Sequence, residues 1–243
     1  MPDCASCFLF QLESENDACL QTNRPGGLEL TRKAIDLCGL PSRSSILDVA
    51  NGTGASLDYL TKEKKYKAVG IDNSFQILKL GQKVRPGLVR IQADCRQIPI
   101  CSTSQHCVLM ECAFALSGGS DGALSEFSRI LIPGGKLIIS DVYIRELIDP
   151  RGLECLSGTI CLSGVVTEQI VRKQLTKFGF EVITWQEHTL LLKKWLAQMV
   201  FKLGSLDKVY RHLAHTDEET KTLICGLGHQ IKLGYYLLIA QKT

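Results

Sequence analysis

Short apolar runs, most of them closed by an acidic residue, alternate along the chain with longer stretches whose apolar positions recur every three or four residues. These are the periods of buried strands and amphipathic helices. Leu28 to Cys38 has the helical period, and Gly39 and Pro41 stop it. Ser45 to Val49 reads as the first buried strand, turning through small residues into a helix expected to start near Thr53. Ala68 to Ile71 is a second strand ending in Asp72, and Ser74 is placed to cap a helix running through Gly81. Leu88 to Gln92 is a third, closed by Ala93-Asp94-Cys95, and Cys107 to Met110 a fourth, closed by Glu111-Cys112. A helix from Asp121 to Leu131 stops at Ile132-Pro133-Gly134-Gly135, and Lys136 to Ser140 is a fifth strand ending at Asp141.

Thr167 is expected to cap a helix to Phe178, followed by a sixth strand from Glu181 to Trp185. Three helical patterns come next, Leu190 to Leu203, Leu206 to Leu213 and one opened by the capping box Thr216-Asp-Glu-Glu219, before a closing strand from Tyr235 to Ala240. Strand and helix alternating at this pitch give an α/β fold, a Rossmann-like, doubly wound, mostly parallel sheet with right-handed crossovers. Ligands of such sheets collect beyond the carboxyl ends of the strands. Asp48, Asp72, Asp94, Glu111 and Asp141 all fall at that edge, so the acidic residues and the Gly52/Gly54 turn mark one site.

Composition narrows the possible partners. With 28 Lys plus Arg against 25 Asp plus Glu, the net charge is only +3, and no basic run is interleaved with aromatics, so a nucleic-acid partner is not expected. The most apolar late segment, Leu190 to Leu203, is broken by Lys193, Lys194, Gln198 and Lys202, so no membrane partner is expected either. The start, Met1 to Phe10, lacks the basic and apolar regions of a signal peptide, and a cytoplasmic location is expected. Eleven cysteines, an odd number, do not form a disulfide framework and are read as reduced thiols. Cys4-Ala-Ser-Cys7 has metal or redox spacing but no second pair to complete a zinc site, so no metal is assigned. The oligomeric state is not readable.

Four segments resemble the motifs of class I S-adenosylmethionine-dependent methyltransferases. Asp48-Val-Ala-Asn-Gly52-Thr-Gly54 is similar to their first motif, Gly70-Ile-Asp72-Asn-Ser74 to the acidic motif of the second strand, Ala93-Asp94 to the adenine-side motif, and Leu131 to Asp141 to the Pro-Gly-Gly strand entry. The resemblance, over roughly 28–185 and the final strand, implies a seven-stranded sheet with an antiparallel last strand and S-adenosylmethionine as cofactor; the polar, poorly patterned start gives a lead-in over 1–27 before one domain over 28–243. The resemblance also implies cofactor contacts from Asp48, Ala50, Asn51, Gly52, Thr53, Gly54, Asp72, Asn73, Asp94, Cys95 and Glu111. Their chemistry agrees: Asp72 can accept from both hydroxyls of a ribose, Asp94 from an adenine amino group, and the Cys95 amide can donate to a ring nitrogen. Asp48 and carbonyls near Ala50 suit the ammonium of the methionine end. Ala50 stands where the family has its first glycine, an exchange that is tolerable at negative φ. Gln105-His106-Cys107 replaces the family's Phe-Asp pair before the fourth strand.

On the acceptor side, Cys161-Leu-Ser-Gly164-Val-Val resembles a segment of arsenite methyltransferases in which the cysteine is a thiolate ligand, and Cys155-Leu-Ser-Gly158 repeats it. Two soft thiolates suit a thiol or a thiophilic metalloid. Those enzymes carry a further cysteine just after the first motif, where this chain has Leu57. The helical insertion at 188–232 is expected to form the acceptor lid. Two alternatives stand beside a small-molecule methyltransferase: a protein that binds the cofactor without turnover, and a nicotinamide-dependent oxidoreductase. The latter is disfavoured because the third glycine of a dinucleotide turn is Leu57 and no Tyr-x-x-x-Lys pair is present.

Overall fold

The computed structural model describes residues 24–117, 121–147, 164–206, 208–209 and 231–243. The elements are α1 Gly27–Cys38, β1 Ser45–Val49, α2 Ala55–Asp58 continued by a π-helical turn Tyr59–Glu63, β2 Lys67–Asp72, α3 Phe75–Val84, β3 Arg90–Gln92 and β4 Gln105–Glu111. They continue with α4 Asp121–Ile130, β5 Leu131–Leu147, α5 Glu168–Lys177, β6 Phe180–Glu187, α6 Thr189–Leu203 and β7 Ile231–Lys242.

The strands form one seven-stranded sheet in the order β3-β2-β1-β4-β5-β7-β6. β1 pairs in parallel with both β2 and β4, while β7 runs antiparallel to β5 and to β6, as the sequence leads one to expect. Strand order reverses between β1 and β4, and in an open α/β sheet this switch point is where a crevice opens.

Burial on both faces explains why the inner strands read as apolar runs. In β1, Leu47 and Val49 enter one core with Val108, Met110, Phe127, Leu137 and Ile139, covered by α4 and α5. Ile46 points the other way, into a second core with Leu109, Ile138, Leu30, Leu57 and Tyr235, covered by α1, α2 and α6. Each such buried aliphatic contributes about 1.5–3 kcal/mol, so the sheet centre is the most firmly held part of the fold.

Local chemistry sets the boundaries, and four expectations need correcting. The helix after β1 begins at Ala55, with Gly54 as its left-handed N-cap at φ 88°, not near Thr53. The strand expected to end at Asp141 runs on to Leu147, because antiparallel pairing with β7 continues as far as Leu147↔Ile231. Thr167 sits at the N-cap of α5, but its side chain makes no capping hydrogen bond; the Ile170 and Val171 amides bond its carbonyl instead. Ala50 has φ 55°, left-handed rather than negative, so a Cβ is carried where the chain turn favours glycine. Ser74 does cap α3, its Oγ accepting from the Ile77 amide at 3.4 Å.

α6 lies against the sheet face: Leu192 packs in the core of Tyr235, Leu237 and Ile239. The later helical patterns of the expected lid, beyond residue 209, lie outside the described residues. No helix among the described residues is long and apolar enough to cross a membrane.

Candidate active site

The loop after β1 is tied to the end of β2. The Gly52 amide donates to Asp72 Oδ2 at 3.0 Å and the Ser74 amide to Asp72 Oδ1 at 2.9 Å, so one carboxylate clamps two turns at the carboxyl edge. Burial pushes Asp72 up from its ordinary value of 3.8, and the amide hydrogen bonds hold it back. Each oxygen keeps a lone pair for a further donor. Asn73, next to it, gives its carbonyl to Gln92 Nε2 at 3.1 Å, which ties the tip of β2 to β3.

The loop is shaped by close approach. Arg90 donates to the Thr53 carbonyl at 3.2 Å, and a Cβ at Gly54 would lie 2.6 Å from Arg90 Nη2, so a side chain here would have to displace the guanidinium and adopt a left-handed φ. Arg85 donates to Thr53 Oγ1 at 3.2 Å. Asn51 lies over Gly70, where a Cβ would come within 2.7 Å of its amide.

Orphaned polar atoms mark the place where a ligand fits. Asp48 Oδ2 and both side-chain polar atoms of Asn51 are buried with no hydrogen-bond partner among the described residues. A buried polar atom left alone costs about 1–3 kcal/mol, a cost that a polar ligand at this edge would remove. Burial holds Asp48 well above the ordinary carboxylate range, with Glu111 adding to the rise and Arg24 opposing it.

Glu111, at the tip of β4, is the hub of a second group. Its Oε1 accepts from Thr31 at 2.8 Å, and its Oε2 accepts from Ser56 and Arg24, each at 2.7 Å. Arg24 also donates to Thr31 Oγ1 and Ser56 Oγ. Sequence reasoning missed Arg24: no motif surrounds it, and only the folded chain brings it to β4.

Asp94 follows β3 as expected, but its oxygens already accept a fork from Arg96, Nε at 2.9 Å and Nη2 at 2.6 Å, together with the Arg96 amide. The Arg96 guanidinium holds Asp94 below its ordinary value. An adenine amino group would use the remaining lone pairs. Cys95, half-buried, has its thiol pushed up to about 11, mainly by burial, and is a packing thiol rather than a thiolate.

Asp141 stands level with the end of β4, since Ser140 pairs with Glu111, but its oxygens are taken up by the backbone. Lying inside the lengthened β5, it accepts from the Ala115 and Val142 amides at 2.9 and 2.7 Å and pins the 113–115 loop. Burial pushes it up to about 6. His106 likewise has a structural partner, its Nδ1 accepting from the Ser45 amide at 3.2 Å. Cys107 is fully buried, while Cys112, at φ 53°, holds its thiol 2.9 Å from the Tyr235 hydroxyl. Cys155, Cys161, Cys4 and Cys7 lie outside the described residues. No cluster of His, Cys, Asp or Glu suited to a metal occurs among the described residues.

A parallel sheet with an antiparallel seventh strand inserted beside β5, a glycine turn after β1 and a carboxylate clamp at the end of β2 together define the class I methyltransferase fold. Residues 47–139 match the family described as methyltransferase domain. Among similar proteins is a demethylmenaquinone methyltransferase of Renibacterium salmoninarum, 30% identical over 110 residues, covering 45% of this chain and 46% of that protein. Another is the uncharacterized methyltransferase YodH of Bacillus subtilis, 27% identical over 161 residues, covering 65% and 68%. The solved phosphoethanolamine N-methyltransferase 2 of Haemonchus contortus, in complex with S-adenosyl-L-methionine, superposes with a TM-score of 0.70 at 17% identity over 94% of this chain and 56% of that one. Over residues 47–139 the chain is similar to the methyltransferase domain family, and its fold is that of the class I S-adenosylmethionine-dependent methyltransferases. It matches about half the length of two of the quinone-methylating relatives, 46% and 47%.

Proposed function

We propose that this chain transfers the methyl group of S-adenosylmethionine to a small-molecule acceptor. The observation that carries this reading is the Asp72 clamp: a half-buried carboxylate, already ordering the Gly52 and Ser74 amides, with lone pairs to spare for a ribose diol. Asp94 serves the adenine side, and Asp48 with Asn51 supplies unpartnered buried polar atoms toward the amino-acid end. A dinucleotide fits less well, since Leu57, fully buried, occupies the third-glycine position.

When bound, S-adenosylmethionine supplies an electrophilic methyl group on a sulfonium. The residues named here have only to hold that donor in line with an acceptor, and positioning alone supplies about 7–11 kcal/mol of the barrier. Of the rim carboxylates, Asp72, Asp94 and Glu111 hold amides, arginines and hydroxyls and Asp48 is assigned to the cofactor, so the acceptor's own acidity carries its deprotonation. This favours a soft, readily ionised nucleophile.

A thiol or thiophilic metalloid is the acceptor class that Cys155 and Cys161 support. The Val166 carbonyl accepts from the Ile144 amide at 3.0 Å, so the chain rejoins the described fold beside the far end of β5 five residues after Cys161. The remainder of the 188–232 insertion serves as lid, and 28–243 as one domain, in the same proposal. Calorimetry with S-adenosylmethionine and NADH tests the cofactor: heat with the first and none with the second is expected, and the reverse overturns the reading. A panel of thiols, arsenite and quinols assayed for S-adenosylhomocysteine release tests the acceptor. Release with thiols or arsenite is expected, and release with quinols alone overturns the soft-acceptor class.

A further inference from the structure

Asp141 is a buried acid that no step above uses. It is 4% exposed, and no charged side chain pairs with it among the described residues; its oxygens accept from backbone amides, Ala115 at 2.9 Å and Val142 at 2.7 Å. The ionisable groups that face it are the Cys112 thiol, just past β4, and the Tyr235 and Tyr236 hydroxyls of β7, each pushed up by burial and neutral near pH 7. A buried carboxylate without a counter-charge weakens a fold, and amide hydrogen bonds offset only part of that, so stability does not explain the residue.

The loop that Asp141 holds is strained as well as tethered. Cys112 turns the chain off β4 at φ 53°, a left-handed backbone that residues other than glycine rarely adopt, and such outliers gather at functional sites. Its amide donates to the Ser140 carbonyl at 2.8 Å and its thiol lies 2.9 Å from the Tyr235 hydroxyl. The loop closes on itself where the Ser117 amide meets the Ala113 carbonyl at 3.0 Å and the Ser117 hydroxyl the Phe114 carbonyl at 2.7 Å. Ala115 packs with Ile144 and Val165, and Val165 follows Cys161 by four residues, so this loop supports the chain that carries a proposed acceptor thiol. The strand order β3-β2-β1-β4-β5 agrees: Asp94, Asp72 and Asp48 give the ends of the first three strands to the cofactor, which leaves the β4–β5 side for an acceptor in line with the methyl group.

We propose that Asp141 is a positioning residue for the acceptor: its carboxylate fixes loop 113–117 and, through the Ala115–Val165 contact, the chain leading from Cys161, without touching the cofactor. This rests on the methyltransferase reading and on the acceptor class proposed with it. The grip depends on charge, because a carboxylate accepts strongly at both oxygens, whereas a neutral carboxyl accepts weakly and carries a proton of its own. Burial places that change at about 6, so the loop is held at pH 8 and loosened at pH 5. Over the same window the fold as a whole loses stability as pH rises. Acceptor capture and global stability therefore move in opposite directions, which a merely structural role does not produce.

The test measures S-adenosylhomocysteine release with mercaptoethanol as the thiol probe, in the wild type and in Asp141→Asn, which keeps the size and removes the charge. At pH 8 the variant is expected to lose roughly 10-fold or more in kcat/KM for the thiol, with KM for S-adenosylmethionine within about twofold of the wild type. The ratio of variant to wild type, from which the thiol's own ionisation cancels, should approach one as pH falls through about 6. Hydrogen exchange in the wild type needs no variant: protection of the Ala115 amide, corrected for the intrinsic pH dependence of exchange, should fall from pH 8 to pH 5 while that of the Gly54 amide, bonded to the Asn51 carbonyl, holds. Unchanged kcat/KM, a ratio indifferent to pH, an equal rise in both KM values or constant Ala115 protection overturns the positioning role and leaves the methyltransferase reading standing. A wild type that binds S-adenosylhomocysteine but turns over neither mercaptoethanol nor arsenite overturns the acceptor class and the positioning role with it. One that binds no S-adenosylhomocysteine overturns the cofactor reading as well.

Discussion

Ala50 shows how a single side chain can be out of step with the turn that carries it. At φ 55° a non-glycine residue bears a strain of about 1–2 kcal/mol, part of which a glycine returns as extra freedom in the unfolded chain. Ala50→Gly is therefore expected to stabilise the protein by about 1 kcal/mol, seen as a higher denaturant midpoint at constant slope. Asp141 gives a pH prediction. Burial raises it from 3.8 unfolded to about 6 folded, so the folded chain binds the extra proton across that window and stability falls as pH rises through it. Asp141→Asn should remove up to about 3 kcal/mol of that fall, read from denaturant melts between pH 4 and pH 7, while Asp48 and Asp72, shifted the same way, keep a residual slope. At this scale the sequence was informative where chemistry and spacing coincide, as at Asp72, and silent where a partner is distant. Arg24 looks like any loop arginine until the fold brings Glu111 to it, and Arg96 turning back onto Asp94 leaves no trace in a motif.

Strands and helices were legible through their apolar periods, and their ends were less so. β5 outran its expected end because Val142, Tyr143 and Ile144 carry the apolar run past Asp141 before Arg145 and Glu146 break it, and only pairing with β7 decides between strand and loop. α6 separates buried from exposed positions sharply. Leu192, in the second core, should cost about 2–5 kcal/mol on truncation to Ala, whereas Phe201, 93% exposed, should be replaceable by Ser within about 0.5 kcal/mol, both read from thermal melts. In β2, Gly70 leaves room for Asn51 and Leu57, and a Cβ there would lie 2.7 and 2.8 Å from them. Gly70→Ala is expected to cost about 1–3 kcal/mol and to weaken cofactor affinity by displacing the Asn51 loop, detected by melts and calorimetry on one preparation.

For the whole molecule, the sheet order places the glycine loop, the Asp72 clamp and the Arg24–Glu111 pair along one edge that crosses the switch point. The parallel strands follow from the alternation of strand and helix and the antiparallel last strand from the resemblance in four motifs, which is why the architecture could be read in advance. The acceptor could not be, because methyl transfer asks for geometry and leaves few obligatory side chains to find. The central claim is that a carboxylate at the end of β2 grips the ribose of a sulfonium nucleoside, and titration of S-adenosylhomocysteine into wild type, Asp72→Ala and Asp72→Asn tests it most directly. Saturable binding by the wild type, weakened roughly 30-fold or more in both folded variants, is the predicted result; no binding by the wild type, or equal affinity in all three, would contradict it.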